Sequence, residues 1–229
     1  MKILSLKPFL KSAALSPVID KKEKNSNLLT RILVLEGHEV FILPWKGEKI
    51  WDTTKFLVSD DSTYATALPT LYLPRLTVLL KSIYSHLKNS NQGFKQSGEE
   101  ILTLIEGAAH RREVFLKKAM DFVDPTLVHF HYKDPDFPKL YRKYNYTAPL
   151  ILTQYDETLG KDMMLHDYVI FVDKLQREEA LEKFPELIDK SVYINHSEGE
   201  VSQKYLREKY MQVYEIVASE RLQSNGCSA

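Results

Sequence analysis

The sequence predicts an α/β fold, a doubly wound and mainly parallel sheet with helices on both faces and a C-terminal helix. Three observations lead there. Short apolar runs alternate with helix-period stretches along most of the chain. Two of the runs, "LILT" at 150–153 and "VIFV" at 169–172, are apolar almost throughout, as suits central strands covered on both sides. No internal repeat or low-complexity tract interrupts the alternation.

The elements follow in order. Residues 2–6 read as a strand, and "SPVIDKKEKNS" reads as a loop. Ser26 or Asn27 caps a helix through "LLTRILVLE", which Gly37 ends. A second strand covers 39–43 and stops at Pro44, and His38 begins it. The stretch 47–62 is irregular, apart from a short strand at "KFLVS". Apolar residues at 73, 76, 79, 80, 83 and 87 form one stripe of a helix. After the loop "NSNQGFKQSG", a long helix runs to 123 and ends before Asp124-Pro125. Strand "LVHFHY" and a helix over 137–143 come next, then strand "PLILTQY" and the polar loop "DETLGKDMMLH". Strand "YVIFVD", helix "KLQREEALEKF" and strand "SVYIN" complete the sheet. A final helix over 201–221 carries apolar residues at 201, 205, 206, 210, 213, 216 and 217, enough for one buried face. The expected organisation is one domain over 1–200, with the helix and polar tail of 201–229 packed on it.

Composition excludes several classes of function. Among 229 residues, 31 lysines and arginines balance 31 aspartates and glutamates, so the basic excess of a nucleic-acid binder is missing. The single cysteine, Cys227, allows neither an internal disulfide nor a cysteine-based zinc cluster. No run approaches the roughly 18 apolar residues of a membrane span. The N-terminal "MKILSLKPFL" is broken at Lys7-Pro8, so it reads as a strand and not a signal peptide. A cytoplasmic protein is the expectation. The helix "LPRLTVLLKSIYSHLK" sets Arg75, Lys81 and Lys88 opposite its stripe. That stripe reads first as a core face, with a weak alternative on an anionic membrane surface.

The segment "RILVLEGHEVFILP" resembles the opening of GT-B glycosyltransferases of the family 4 type. "DPTLVHFHY" is similar to their strand ending His-x-His, and "APLILTQYDE" to the following strand with its Thr-x-His. "DYVIFVDKLQREEALEKFPELIDKSVYINHSEGE" resembles the segment that closes their N-terminal, acceptor-side domain. The four pieces come in family order and cover about 1–200. The resemblance implies a Rossmann-like domain that binds a sugar acceptor and serves transfer from a nucleotide sugar, with no further cofactor. A donor-binding domain normally follows, with a basic pair and two glutamates. Here "SEGEVSQKYLREKYMQVYEIVASER" follows directly, similar to the last helix of such enzymes. The expected partners are therefore a nucleotide sugar, a sugar acceptor, and a second copy or a separate donor-binding chain. The other reading is a non-catalytic acceptor-binding or scaffold subunit. Two departures stand out: the family's glycine-rich loop is "LSPVIDKKEKNSN", and its Pro-Asn-Gly turn is Asn195-His196-Ser197.

Candidate site residues gather at the carboxyl ends of expected strands. His129 and His131 share one face of a strand. The resemblance places His131 where a family histidine faces the acceptor, so it would place or deprotonate the attacking hydroxyl. The plain alternative is a hydrogen-bonded histidine at a strand end. A metal held by His129, His131, Asp134 and Asp136 is chemically conceivable, yet a catalytic zinc needs about three convergent ligands, and none is expected here. Thr153, Asp156, Glu157 and Lys161 crowd the end of the next strand, where open α/β sheets bind ligands. Asp156 or Glu157 would hold sugar hydroxyls or act as a base, unless the loop is merely solvated. Tyr155 stands at the family's Thr-x-His histidine, on the substrate side. Lys22 and Lys24 are the candidates for a donor phosphate, against the alternative of a solvated charged face. Two positions in a strand differ by about 6.6 Å in depth. His131 is therefore expected to reach the cleft, and His129 to be buried and hydrogen-bonded.

Overall fold

The computed structural model describes residues 1–7, 21–44, 54–59, 63–68, 113–114, 116–134, 136–155, 158–196 and 203–226. The helix expected over 73–87 lies outside them. The chain forms two compact units, one of Met1–Thr70 with Val123–Ala229 and one of Leu71–Phe122. In the second, residues 116–122 are helical and bury Leu116, Ala119 and Met120.

The first unit contains an eight-stranded sheet. In chain order its elements are β1 (Lys2–Lys7), α1 (Lys21–Leu35), β2 (Glu39–Pro44), β3 (Thr54–Ser59), β4 (Thr63–Ala67), β5 (Leu127–Phe130), α2 (Asp136–Lys143) and β6 (Leu150–Gln154). A 3₁₀ turn (Lys161–Leu165), β7 (Tyr168–Phe171), α3 (Lys174–Lys183), β8 (Ser191–Tyr193) and α4 (Gln203–Gly226) follow. The spatial order is β3-β4-β2-β1-β5-β6-β7-β8. Seven strands are parallel, and β3 closes one edge antiparallel to β4. This is a Rossmann-like doubly wound sheet.

Register assigns each side chain to a face, because in-register residues of parallel strands point the same way. One face carries Ile3, Val40, Ile42, Leu127, Ile151, Ile170 and Ile194, and all are buried. α1 covers it with Leu29, Ile32 and Leu33, and α4 with Leu206, Tyr210, Val213, Tyr214 and Val217. The 3.6-residue period of these helices builds the contact. Arg207 of α4 also pairs with Glu36 beyond α1 at 2.7 Å. The opposite face carries Leu4, Leu6, Val128, Phe130, Leu152 and Phe171. Against it, Phe137 of α2 meets Phe130 edge-on at 5.0 Å, and Arg177 of α3 reaches the Ser191 hydroxyl at 3.3 Å.

Local chemistry sets the boundaries. Gly37, at φ 77°, follows α1 in the left-handed region. The His38 N–H donates to the Leu33 carbonyl and the Gly37 N–H to that of Val34, the paired bonds that end helices on glycine. α1 begins at Lys21, earlier than the cap expected at Ser26 or Asn27. "KKEK" consists of strong helix formers, and it extends the helix backwards. β4 was not expected, since "TYATA" lacks an apolar run; its backbone pairs with both β2 and β3. Asp173 caps α3 by accepting from the Gln176 N–H at 3.1 Å. Asp134 accepts from the N–H groups of Asp136 and Phe137 at 2.9 and 3.1 Å, so this buried carboxylate starts α2.

His166 fills a gap against Phe130, with ring centroids 4.8 Å apart. Burial pushes its pKa down from 6.5 to about 4, against weaker opposing help from Met163, Asp162 and Asp167. Between those two pH values the unfolded chain binds a proton there and the folded chain does not. Folding stability contributed by this neutral ring is full above 6.5 and falls as the pH drops toward 4. The loss at this group should be on the order of 3 kcal/mol. Urea unfolding across this range should show it, and His166→Leu should flatten the acid limb; an unchanged slope in the variant would refute the assignment.

Candidate functional site

The direction of winding reverses between β1 and β5: β2 and β4 lie to one side, β6, β7 and β8 to the other. Crevices at such a switch point, outside the carboxyl ends of the strands, are where open α/β sheets take ligands. β5 and β6 end there on a cluster of polar aromatic side chains.

His129 is its centre. It is 0% exposed, and both of its ring nitrogens are engaged. Nδ1 lies 2.6 Å from the Tyr214 hydroxyl and Nε2 lies 2.7 Å from the Thr153 hydroxyl. Thr153 in turn lies 3.3 Å from the Tyr210 hydroxyl, which is 3.0 Å from Nε2 of His196. His131 lies tilted against His129 with centroids 4.3 Å apart and stacks with Tyr155 at 6.4 Å. Tyr155 meets His196 edge-on at 5.9 Å. Three elements build the cluster: the β5 end, the β6 end and α4, with His196 arriving from just beyond β8.

Burial dominates its electrostatics. It pushes the phenol pKa of Tyr155 well up, helped by the neighbouring Tyr210 hydroxyl, and those of Tyr210 and Tyr214 up too. The three phenols are therefore neutral donors at physiological pH. Around imidazoles, such groups can orient a substrate hydroxyl and pass a proton.

Of the residues singled out by sequence, His129, His131, Thr153 and Tyr155 come together here. His129 is buried and doubly hydrogen-bonded, as its position in the strand suggests. His131 is not at an open surface: it is 4% exposed, because the β5 ladder stops at Phe130 and Tyr155 covers the next ring. Its N–H still bonds the Leu6 carbonyl at 3.1 Å. Lys161 stands exposed at the start of the 3₁₀ turn. Lys22 and Lys24 lie in the first turns of α1. Asp156 and Glu157 lie outside the described residues. Just after them, the Thr158 carbonyl accepts bonds from the side chains of Gln154 and Lys133, which fixes the far end of that loop. Among the described residues no group of three or more His, Cys, Asp or Glu is placed to hold a metal, and Asp134 is already occupied in capping α2.

Three members escaped the sequence reading. Tyr210 and Tyr214 are four apart on one helix face, a spacing that says they act together but not on what. His196 sits in a turn without periodic signal. A recess of about 360 Å³, lined by Glu36, Lys204, Arg207, Glu208, Met211 and Glu215, shares no residue with this cluster. It joins like and unlike charges without a convergent group.

No protein-family model matches the chain, and no curated protein matches it. Among solved structures, the apo structure of OtsA is similar at 9% identity and a TM-score of 0.43. The alignment covers 82% of this chain and 44% of that one, so this chain spans less than half its length. At that level it assigns no residue.

His129→Ala should cost about 3 kcal/mol, since it opens a cavity and strands two buried hydroxyls. Tyr214→Phe should cost about 1 kcal/mol, one hydrogen bond without a void. Denaturant unfolding measures both; equal costs would show that the hydroxyl and not the ring carries the site's stability.

Proposed function

We propose that this chain binds a sugar acceptor at the carboxyl ends of β5 and β6 and serves glycosyl transfer from a nucleotide sugar. The observation that carries the reading is the histidine–tyrosine–threonine cluster beside the switch point of a doubly wound sheet. The ordered resemblance of four sequence segments to GT-B enzymes supports it. Aromatic rings suit the C–H faces of a sugar, and imidazole and phenol groups suit its hydroxyls.

In the proposed reaction an acceptor hydroxyl attacks the anomeric carbon, the bond to the nucleotide diphosphate breaks, and the hydroxyl proton passes to a base. His131 is the proposed base or placing group, with Asp156 and Glu157 holding neighbouring hydroxyls. Thr153, Tyr155 and Lys161 contribute to the acceptor side, and His129 orients the cluster from beneath. We assign Lys22 and Lys24, at the start of α1, to the leaving diphosphate, which positive charge would stabilise. A diphosphate needs more donors than these, so we place the rest of the donor site on a further domain or a partner chain, either a second copy or a separate protein.

Calorimetric titration with UDP-glucose, GDP-mannose and a panel of free saccharides tests this, together with release of nucleotide. Saccharide binding should weaken about tenfold in His131→Ala, about 1.4 kcal/mol. Saccharide binding without any release of nucleotide would select the non-catalytic subunit. Silence with all ligands at millimolar concentration would reject both.

A further inference from the structure

Two contacts tie α4 to the turn after α1, one on either side of Gly37. Arg207 pairs with Glu36 at 2.7 Å, and one helical turn later Sδ of Met211 lies 3.4 Å from Nε2 of His38. The other ring nitrogen of His38, Nδ1, lies 3.4 Å from the α-amino group of Met1. His38 and Met211 are both half-buried, and Met211 packs against the core beneath α1 and α4.

These neighbours fix the proton on His38. An ammonium group has protons to give and no lone pair to offer, so Nδ1 accepts from Met1. Burial, and after it the charge of that amino group, lowers the His38 pKa from 6.5, against a smaller pull from Glu36. Near neutral pH the ring is therefore uncharged, and its one proton sits on Nε2, beside the Met211 sulfur. A thioether is a weak acceptor. A good donor here faces a poor partner.

Oxygen on that sulfur would correct the mismatch. Of the five methionines, Met120 and Met163 are buried, whereas Met1, Met164 and Met211 are reachable from solvent. Met211 also lines the recess of about 360 Å³, whose other walls are charged side chains. Walls of that kind hold water, and a small polar oxidant travels with it.

We propose that Met211 is a site of reversible oxidation by a peroxide, and that Nε2–H of His38 receives the sulfoxide oxygen. The sulfur lone pair attacks one oxygen of hydrogen peroxide, so an S–O bond forms and the O–O bond breaks. The departing hydroxide takes the proton of the attacked oxygen and leaves as water. Sulfur loses two electrons and the peroxide gains them. The His38 proton stays on its nitrogen and exchanges a poor acceptor for a strong one. A sulfoxide ordinarily disrupts the apolar contacts of its methionine. At Met211 a donor already stands within reach of the new oxygen, so α4 stays docked. The site is independent of what the chain binds at the carboxyl ends of the strands.

The test is peroxide treatment of the folded full chain near neutral pH, read by peptide mass mapping and by nitrogen–proton NMR of the imidazoles. Met211 should gain one oxygen before Met120 and Met163, and lose it to methionine sulfoxide reductase with a thiol. In the untreated protein Nε2 of His38 should read as the protonated nitrogen, and oxidation should shift it. Peroxide should leave that nitrogen in place in Met211→Leu. The oxidised protein should melt close to the untreated one, whereas oxidised His38→Ala should melt below untreated His38→Ala. A Met211 that resists peroxide in the folded chain would overturn the site. A proton on Nδ1, or a His38 nitrogen indifferent to oxidation, would overturn the role of His38, and neither reading needs His38→Ala to fold. Loss of saccharide binding bears on the proposed function alone and leaves these outcomes untouched.

Discussion

A polar ring in the middle of an apolar sheet is costly unless its nitrogens are bonded, and the two bonds made by His129 tie three elements of this protein together. Burying an unpaired imidazole would cost several kcal/mol, comparable to a large part of a domain's net stability. Thr153 satisfies one nitrogen from the neighbouring strand. The other is met from above the sheet. Tyr214 does it from α4. The C-terminal helix is thus fixed in direction by a polar contact, while Leu206, Val213 and Val217 supply the less directional apolar adhesion around it. Tyr210, one turn earlier, repeats the arrangement toward His196.

This mixture of apolar adhesion and directed polar bonds explains the cluster's character. Aromatic residues here have a greasy body and one polar atom each, so they can fill space and still complete a network. Low local dielectric strengthens each bond and penalises each omission. The donors and acceptors of this cluster are aimed at one another beneath the carboxyl ends of β5 and β6.

Much of the fold was legible in the sequence because it depends on burial pattern. "LILT" and "VIFV" are apolar almost throughout and supplied β6, buried along its length, and β7, buried from Val169 to Phe171. Gly37 ended α1 because a left-handed residue was needed there. β4 was not legible, since its place in the sheet depends on pairing with β2 across the chain and not on its own composition. The site was legible in part. His129 and Thr153 announced themselves by strand position, whereas Tyr210, Tyr214 and His196 join the cluster only through the tertiary placement of α4. Asp134 was only conceivable as a metal ligand by residue type, and in the fold its carboxylate caps α2. Residue type proposes a chemistry, and the neighbouring N–H groups decide it.

The strand order has a consequence for how the chain is made. β1 neighbours β2, which emerges some 37 residues later, but its other neighbour β5 lies about 124 residues further on. As the polypeptide leaves the ribosome, the first strands can pair while one flank of β1 stays open. The sheet face carrying Ile3, Val40 and Ile42 waits longer still, since α4 follows all eight strands in the chain. Such distant contacts slow folding and leave apolar surface available to the wrong partner meanwhile. Synthesis of this protein therefore passes through a nascent form with an unfinished sheet and an uncovered greasy face, the kind of species that chaperones engage.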